Sequence, residues 1–296
     1  MLLLLPLLSF LSLRCSTHPC VKSPSRHRQL LPLQMSSSDS TSSSSWVWKK
    51  SEVANTFTDI RDSVPLAKEQ LDLMIRMICA FRRNDRQQQE EPPAGNNRMM
   101  WLDLGCGDGY LSRKLLEEFP DSQGMLIDFS EPMLEQARQR MATNKQWETR
   151  VHIRSGDLSQ SSWLDLLNDI PQVDLIVSSF AIHHLTNDRK QQLYQEIFDC
   201  LSPGGIFLNL EHVASSDATV EGIFDGAFVD SMYKVHSGSK TYEECQRAVE
   251  YDLSVDDEAN ILVPVETQCE WLREIGFQHV DCYFKFLILA LFGGVK

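Results

Sequence analysis

Short apolar segments alternate with amphipathic segments through the central part of the chain. Five apolar runs have the length of buried strands and cover residues 99–104, 123–127, 151–154, 173–178 and 206–210. Between them, apolar residues recur at spacings of three and four, the period of a helix that is buried along one face. Strands that alternate with helices are typical of a parallel sheet covered by helices on both sides. The pattern therefore predicts an α/β protein with a doubly wound sheet.

The same spacing predicts further elements on both sides of this core. Residues 46–82 are expected to form a helix ahead of the first strand, and the polar residues 84–98 a surface loop. Residues 263–276 predict a helix that ends at a glycine, and two apolar runs follow within residues 280–292. These runs are expected to be the last two strands, one of them antiparallel, and to complete a seven-stranded, mostly parallel sheet. The acidic and aromatic residues 213–262 follow the fifth strand and do not show a plain pattern of strand and helix.

The first strand leads into a glycine-rich turn, within the stretch MMWLDLGCGDGYLS at residues 99–112. Gly105, Gly107 and Gly109 stand at alternate positions, and Asp103 precedes them. Glycines in such a turn accept positive φ angles and let a ligand approach the backbone, and the helix that follows offers unpaired N–H groups. The dinucleotide-binding fingerprint G-x-G-x-x-G has its third glycine one residue later. An NAD-dependent oxidoreductase is therefore disfavoured.

Further segments follow the glycine turn at characteristic distances. They are a D-x-S-x-x-M-L run at 128–134, a Gly-Asp pair at 156–157, the run FAIHHL at 180–185 and the turn LSPGG at 201–205. In order and spacing, these segments and the pattern D-x-G-x-G-x-G are similar to those of class I S-adenosylmethionine (SAM)-dependent methyltransferases of the small-molecule branch. The resemblance covers residues 99–212. It implies a Rossmann-like fold, SAM as the cofactor and a small molecule as the methyl acceptor.

The resemblance places the cofactor at the carboxyl ends of the strands. Asp103 suits the cationic amine of SAM, and Asp157 corresponds to the residue that hydrogen-bonds the adenine amino group. Asp128 suits the ribose, because a carboxylate can accept hydrogen bonds from two vicinal hydroxyl groups. The expected cofactor-binding residues are Asp103, Gly105, Cys106, Gly107, Gly109, Asp128, Phe129, Met133, Asp157, Leu158 and Ser179.

Histidines follow the fourth and fifth strands, on the side where the cofactor is expected. Methyl transfer from a sulfonium is an in-line displacement with a good leaving group, so the protein mainly positions the reactants. An oxygen or nitrogen acceptor can still require removal of a proton, for which histidine is suited near neutral pH. The candidate catalytic residues are therefore His183, His184 and His212. In folds of this class an insertion after the fifth strand lies above the mouth of the site, so the resemblance implies that residues 213–262 form a helical cap over the substrate. The candidate substrate-binding residues are Glu211 and, in this cap, Tyr233, Tyr242 and Arg247.

Two other interpretations stay open at this point. The spacing of Tyr242, Arg247 and residues 263–277 loosely resembles the enzyme that makes carboxy-SAM, in which an arginine such as Arg247 would bind the carboxylate with two hydrogen bonds. A SAM-binding regulator without catalytic activity would keep the same cofactor residues. Identification of the bound ligand would separate these alternatives.

Charge and cysteine content limit the partners. The chain has 28 Lys or Arg and 41 Asp or Glu, so its formal net charge is −13. Residues 1–50 alone carry +5, which leaves −18 for the remainder. Such an acidic body disfavours direct binding to a nucleic-acid backbone, and a small-molecule partner is expected. The 8 cysteines do not show metal-ligand spacing, so no metal site is predicted.

The amino-terminal residues have the composition of a targeting segment. Residues 1–13 are apolar but too short to span a bilayer, and residues 14–45 are rich in serine and contain one acid, Asp39. We expect residues 1–45 to be a disordered leader of the plastid type, which would direct the protein to an organelle. If this leader is not used, Met35 would open a cytoplasmic chain. Residues 46–296 are expected to form a single domain.

Overall fold

The structure is a computed structural model, and it describes residues 61–88, 98–170, 173–215 and 217–296. The expected leader at residues 1–45 and the start of the helix expected after it lie outside these residues. Within the described ranges, no helix is both long and apolar enough to cross a bilayer.

The centre of the protein is a sheet of seven strands, namely β1 (Met100–Leu104), β2 (Gln123–Asp128), β3 (Val151–Ser155), β4 (Val173–Ser179), β5 (Leu201–His212), β6 (Gln278–Phe286) and β7 (Leu289–Val295). The strand order is β3-β2-β1-β4-β5-β7-β6. Strands β1 to β5 pair in parallel, and β7 is antiparallel to both β5 and β6. The predicted seven-stranded, mostly parallel sheet is confirmed. Because β2 and β4 lie on opposite sides of β1, a crevice is expected at the carboxyl ends of β1 and β4.

The helices of the described residues are α1 (Ala67–Gln88), α2 (Tyr110–Glu118), α3 (Glu131–Ala142), α4 (Lys145–Glu148), α5 (Asn187–Cys200), α6 (Ala218–Val235), α7 (Tyr242–Ala259) and α8 (Val265–Ile275). Apolar side chains cover both faces of the sheet. In β1, Trp101 belongs to one hydrophobic cluster, whereas Leu102 and Leu104 belong to the other. Successive side chains of a strand point to opposite faces, so the apolar run of β1 is buried on both sides.

The helix ahead of the first strand has other limits than predicted. A short 3-10 turn, Arg61–Ser63, precedes α1. Leu66 has a φ of 60°, which lies outside the helical region, so the regular helix begins only at Ala67. At its other end, α1 extends to Gln88, into the segment that was expected to be a surface loop.

The turn LSPGG is a bulge inside β5 and not a connection before that strand. Leu201 pairs with Val173 of β4, and the next pair is Ile206 with Leu175. One residue of β4 is therefore opposed by four residues of β5. In this bulge, Gly204 N–H donates a hydrogen bond to the carbonyl of Lys296. The strand that was predicted at 206–210 consequently begins five residues earlier.

The predicted cap consists of the two helices α6 and α7, which lie between β5 and α8 in the chain. Phe224 and Phe228 of α6 pack in one hydrophobic cluster with Val249 and Leu253 of α7. Leu289, the first residue of β7, belongs to the same cluster. The cap therefore rests on the carboxyl end of β5, where its partner strand β7 begins.

Candidate functional site

A cavity of about 770 Å³ lies at the carboxyl ends of β1, β2, β4 and β5. We call two parts of its lining the glycine wall and the histidine wall. The glycine wall contains residues 105–108, Asp103, Asp128, Phe129, Met133, Asp157, Leu158 and Ser179. The histidine wall contains the residues that follow β4, the end of β5 and the inner face of the cap, namely Phe180, His183, His184, Leu185, His212, Phe224, Phe228, Leu253 and Ile261. Residues 61–71 contribute side chains to the same cavity.

The three glycines of the first turn have different surroundings, although each has a positive φ. A Cβ added to Gly105 would lie 2.2 Å from the Cβ of Ala181, whereas one added to Gly107 would meet no atom within 4 Å. At Gly109 the added atom would meet Met141 and other side chains of α3 and β2 at 3.2–3.3 Å. Gly105 and Gly107 line the cavity. Gly109, which was expected to bind the cofactor, faces α3 instead because it begins α2.

Asp128 ends β2 and fixes the glycine turn. Its Oδ2 accepts a hydrogen bond from Gly107 N–H at 2.9 Å, and its Oδ1 accepts one from Ser130 N–H at 2.8 Å. Burial raises the pKa of this carboxyl group, although the backbone donors oppose that change. Each carboxylate oxygen has two acceptor positions. Asp128 can therefore hold the turn and still accept hydroxyl groups from a ligand such as the ribose of SAM.

Asp103 provides an acidic oxygen without a partner on the glycine wall. Its Oδ2 accepts a hydrogen bond from Ser112 Oγ at 2.6 Å, whereas its buried Oδ1 has no partner among the described residues. Burial raises the pKa of Asp103 to about 7, and the nearby Asp128 contributes to this shift. A buried polar atom without a partner is unfavourable. A cationic amine in the cavity would compensate for it, so this wall fits the amino acid end of SAM.

Most of the other expected cofactor residues lie on the same wall. Asp157 is half-buried, and its Oδ1 accepts a hydrogen bond from Ser159 N–H at 2.9 Å. The remaining expected residues that line the cavity are Cys106, Phe129, Met133, Leu158 and Ser179. This part of the cavity therefore has both apolar and acidic side chains. An adenosine, which has a flat ring and hydroxyl groups, requires both kinds.

Asp108 and Arg61 form an ion pair that sequence analysis did not identify. Arg61 Nη1 lies 2.5 Å from Asp108 Oδ2, and Arg140 of α3 also pairs with Asp108. The Arg61 guanidinium stacks over the ring of Tyr110, 3.9 Å from its centroid. This buried carboxylate holds the segment ahead of α1 onto the glycine turn. Since 47 residues separate Asp108 from Arg61, no local pattern could have indicated the pair.

The histidine wall begins at a strained residue. Phe180 follows β4 with a φ of 52°, which is uncommon for a residue with a side chain. Ile182 N–H then donates to Glu211 Oε1 at 2.8 Å, and His183 Nδ1 lies 2.5 Å from Glu211 Oε2. Glu211 itself is buried behind His183. It was expected to contact the substrate, but its partners lie in residues 180–185, which we call the histidine turn.

Burial changes the proton affinities of this pair. It raises the pKa of Glu211 to about 7 and lowers that of His183 to about 3. Both shifts follow mainly from the cost of placing a charge at a buried position. Because the two groups share a hydrogen bond, they titrate as a pair. When Glu211 is ionised, it accepts the Nδ1 proton of His183, and Nε2 is the ring nitrogen available to a ligand.

His184 and His212 complete this side of the cavity. The rings of His183 and His184 have centroids 4.0 Å apart, and the His212 ring is 6.1 Å from that of His183. Phe224 of the cap lies 6.2 Å from the His212 ring. All three candidate catalytic histidines therefore lie on one apolar wall.

The basic residues around the cavity are bound to acids. Arg61 pairs with Asp108, Lys68 with Asp72, and Arg189 with Glu196. Among the described residues of the lining, no lysine or arginine lacks such a partner. The same residues contain no cluster of acids, histidines and cysteines that could hold a metal ion.

The structure does not bring the substrate candidates of the cap to the cavity. Arg247 is exposed, because the buried positions of α7 are Cys245, Val249 and Leu253 and Arg247 lies between them. Tyr242 donates to Asp230 at 3.0 Å on the outside, and its ring meets that of Tyr233 at 5.6 Å. Tyr233, Tyr242 and Arg247 are absent from the described lining. The cap contributes phenylalanine and leucine side chains in their place.

Replacement of Asp128 with asparagine is expected to weaken SAM binding by about 10- to 100-fold. One of its two oxygens becomes an NH₂ group, which cannot accept the N–H of Gly107 or a ribose hydroxyl, and hydrogen bonds to a charged group contribute about 1.5–3 kcal/mol. Calorimetric titration with SAM measures the effect. Asp174→Asn is the matched control, since Asp174 also accepts a backbone N–H, at 2.8 Å from Met100, but does not line the cavity. Equal affinities for both variants would exclude the ribose assignment.

Comparisons with known proteins agree with this geometry. Residues 102–207 match the family described as a methyltransferase domain. The chain is 24% identical to a carboxy-S-adenosyl-L-methionine synthase from a Nitratiruptor species, over 83% of this chain and 91% of the relative. It is also 24% identical to the synthase of that name from Nautilia profundicola, over 83% of this chain and 92% of the relative.

Solved structures share the architecture. An O-methyltransferase family protein from Burkholderia thailandensis superposes with a TM-score of 0.55 at 15% identity, over 83% of this chain and 60% of that one. A putative O-methyltransferase from Nostoc punctiforme gives a TM-score of 0.52 at 15% identity, over 84% of this chain and 60% of that one. The chain thus spans about 60% of the length of these two structures. At such identities the likeness concerns the fold.

Proposed function

Since this chain is an enzyme of the class I SAM-dependent methyltransferase type, we propose that it transfers a methyl group to an oxygen or nitrogen atom of a small, neutral acceptor. When bound, SAM supplies the methyl group on a positively charged sulfur. The glycine wall would hold this cofactor through Asp103, Asp128 and the backbone around Gly107. The acceptor would then lie against the histidine wall.

The observation that carries the proposal is the His183–Glu211 pair on an apolar wall. Phe224, Phe228 and Leu253 would exclude water from the acceptor and orient it by contact. His183 Nε2 would take the proton that the acceptor loses, while the Nδ1 proton stays in its hydrogen bond with Glu211. Glu211 holds the ring through Oε2 and is itself held by Ile182 N–H. A proton acceptor supported in this way suits a hydroxyl or amine substrate.

The second candidate is synthesis of carboxy-SAM, which is favoured by the names of the similar proteins. That product carries a carboxylate, which requires a cationic partner in the cavity. Arg247, the residue considered for this role, is exposed on α7. The lysine and arginine side chains of the described lining are already paired with acids. These contacts favour a neutral acceptor over a carboxylate.

Identification of the copurified ligand and of the product separates the two candidates. The full chain is purified without added ligand and denatured, and the released compounds are identified by mass spectrometry. We expect SAM or S-adenosylhomocysteine. We also expect added SAM to yield S-adenosylhomocysteine with members of a panel of neutral phenols, alcohols and amines, and not with the matching carboxylic acids. Release of carboxy-SAM would favour the second candidate and overturn the proposal.

A further inference from the structure

Lys190 is a fully buried lysine behind the histidine wall, with 1% of its surface exposed. It lies in the first turn of α5. Its ammonium group donates to the carbonyl of Leu185 at 2.7 Å and also to the carbonyl of Ile261. Leu185 ends the histidine turn, and Ile261 belongs to the segment that leaves the cap after α7. One buried side chain therefore connects the cap to the turn that carries His183.

A second bond joins the same two segments. Ile261 N–H donates to the carbonyl of His183 at 3.0 Å. The peptide groups on both sides of Ile261 are thus held, one by the backbone of the histidine turn and the other by Lys190. His183, Leu185 and Ile261 all line the cavity. These bonds to Ile261, which we call the clasp, therefore tie the exit of the cap to the histidine turn.

The charge of Lys190 lies within electrostatic range of the buried pair. Burial lowers the pKa of Lys190 to about 8, and the negative charge of Glu211 opposes that shift. In return, Lys190 lowers the pKa values of both Glu211 and His183. His184 and His212 act on Glu211 in the same direction. A buried ammonium is costly, and its hydrogen bonds here go to carbonyl groups, for which a neutral donor would suffice.

We propose that Lys190 is a positioning residue of the methyl-transfer site, which clasps the exit of the cap to the histidine turn. The catalytic meaning of this role rests on the proposed function, whereas the clasp itself does not. The residue takes no part in the chemical step. It holds in place the groups that do, and its positive charge acts on their proton affinity.

Two substitutions separate the clasp from the charge. Lys190→Met removes both, while Lys190→Gln removes the charge and keeps an N–H donor. Lys285→Met is the control, because Lys285 is 40% exposed and pairs with Glu266 away from the cavity. Two readouts need no acceptor: hydrogen–deuterium exchange of the Ile261 amide, and the ¹⁵N resonances of His183 followed against pH. SAM is the only ligand added, to show that its affinity stays within about twofold.

In Lys190→Met, the Ile261 amide is expected to exchange at least about tenfold faster. The titration of the His183–Glu211 pair is expected to move up by about one pH unit, since the loss of a nearby positive charge favours the protonated pair. Lys190→Gln is expected to show the same pH shift with much slower exchange than the methionine variant.

An unchanged titration in both variants would overturn the charge effect. Unchanged exchange of the Ile261 amide in Lys190→Met would overturn the clasp. If the methionine variant does not fold, the glutamine variant alone decides the charge effect, and Lys190→Ala takes its place in the exchange measurement. Neither readout depends on methyl transfer, so a failure of the proposed function would be recognised separately from a failure of this proposal.

Discussion

Replacement of Gly105 with alanine is expected to destabilise the protein by about 2–4 kcal/mol. The φ of 69° costs an alanine about 1 kcal/mol. The new methyl group would lie 2.2 Å from the Cβ of Ala181, and relief of such an overlap typically costs a further 1–3 kcal/mol. Because β1 and the histidine turn meet at this point, a shift of either would also disturb the cavity. Denaturation by urea, followed by circular dichroism, measures the loss as a lower midpoint.

Gly107→Ala provides the matched control two residues further along. Its φ is also positive, at 53°, but an added Cβ meets no atom within 4 Å. We expect a loss of about 1 kcal/mol in stability, from the backbone alone. The methyl group would stand in the cavity, so SAM affinity should fall by at least about tenfold. A Gly105 variant as stable as the Gly107 variant would contradict the close packing of β1 against Ala181.

Replacement of Glu211 with glutamine is expected to lower methyl transfer by about 10²- to 10⁴-fold, the range of a lost general base. The amide oxygen can still accept Ile182 N–H, so the NH₂ group would face His183. It would donate to Nδ1, which forces the ring proton onto Nε2 and removes the acceptor from the cavity. Formation of S-adenosylhomocysteine is measured with a neutral acceptor from the panel. The affinity for SAM should stay within about twofold.

The pH dependence tests the same assignment. Activity requires the pair to lose one proton, so turnover of the unchanged enzyme should rise with pH through about 7, the value to which burial raises the pKa of Glu211. The glutamine variant should lack this rise. Glu250→Gln, on the exposed side of α7, is the control and should keep the original profile. Full activity of Glu211→Gln would exclude His183 as the proton acceptor.

Local patterns predicted much of the fold. The apolar runs, the glycine turn and the acid at the end of β2 are each encoded within a few residues, and the structure places them around one cavity. The bond from Lys190 to Ile261 and the Asp108–Arg61 pair could not be predicted, because the bonded residues lie 71 and 47 positions apart in the chain. The positive φ of Phe180 could not be predicted either, because a phenylalanine in the sequence does not indicate such a backbone conformation. In the cap, by contrast, the outward position of Arg247 could have been predicted. Cys245, Val249 and Leu253 are spaced by four residues and are buried, and Arg247 lies between them on the other face of α7.

The two walls of the cavity come from separate parts of the chain. The glycine wall is built by the carboxyl ends of β1, β2 and β4 and by residues that follow β1, β2 and β3. The cap contributes Phe224, Phe228, Leu253 and Ile261 to the other side. Substitutions in the cap can therefore accumulate without altering the cofactor site. Under the proposed function, changes in α6 and α7 would therefore alter the choice of acceptor while the residues of the glycine wall stay the same. Residues 213–262 are for the same reason the segment to exchange in engineering a new specificity.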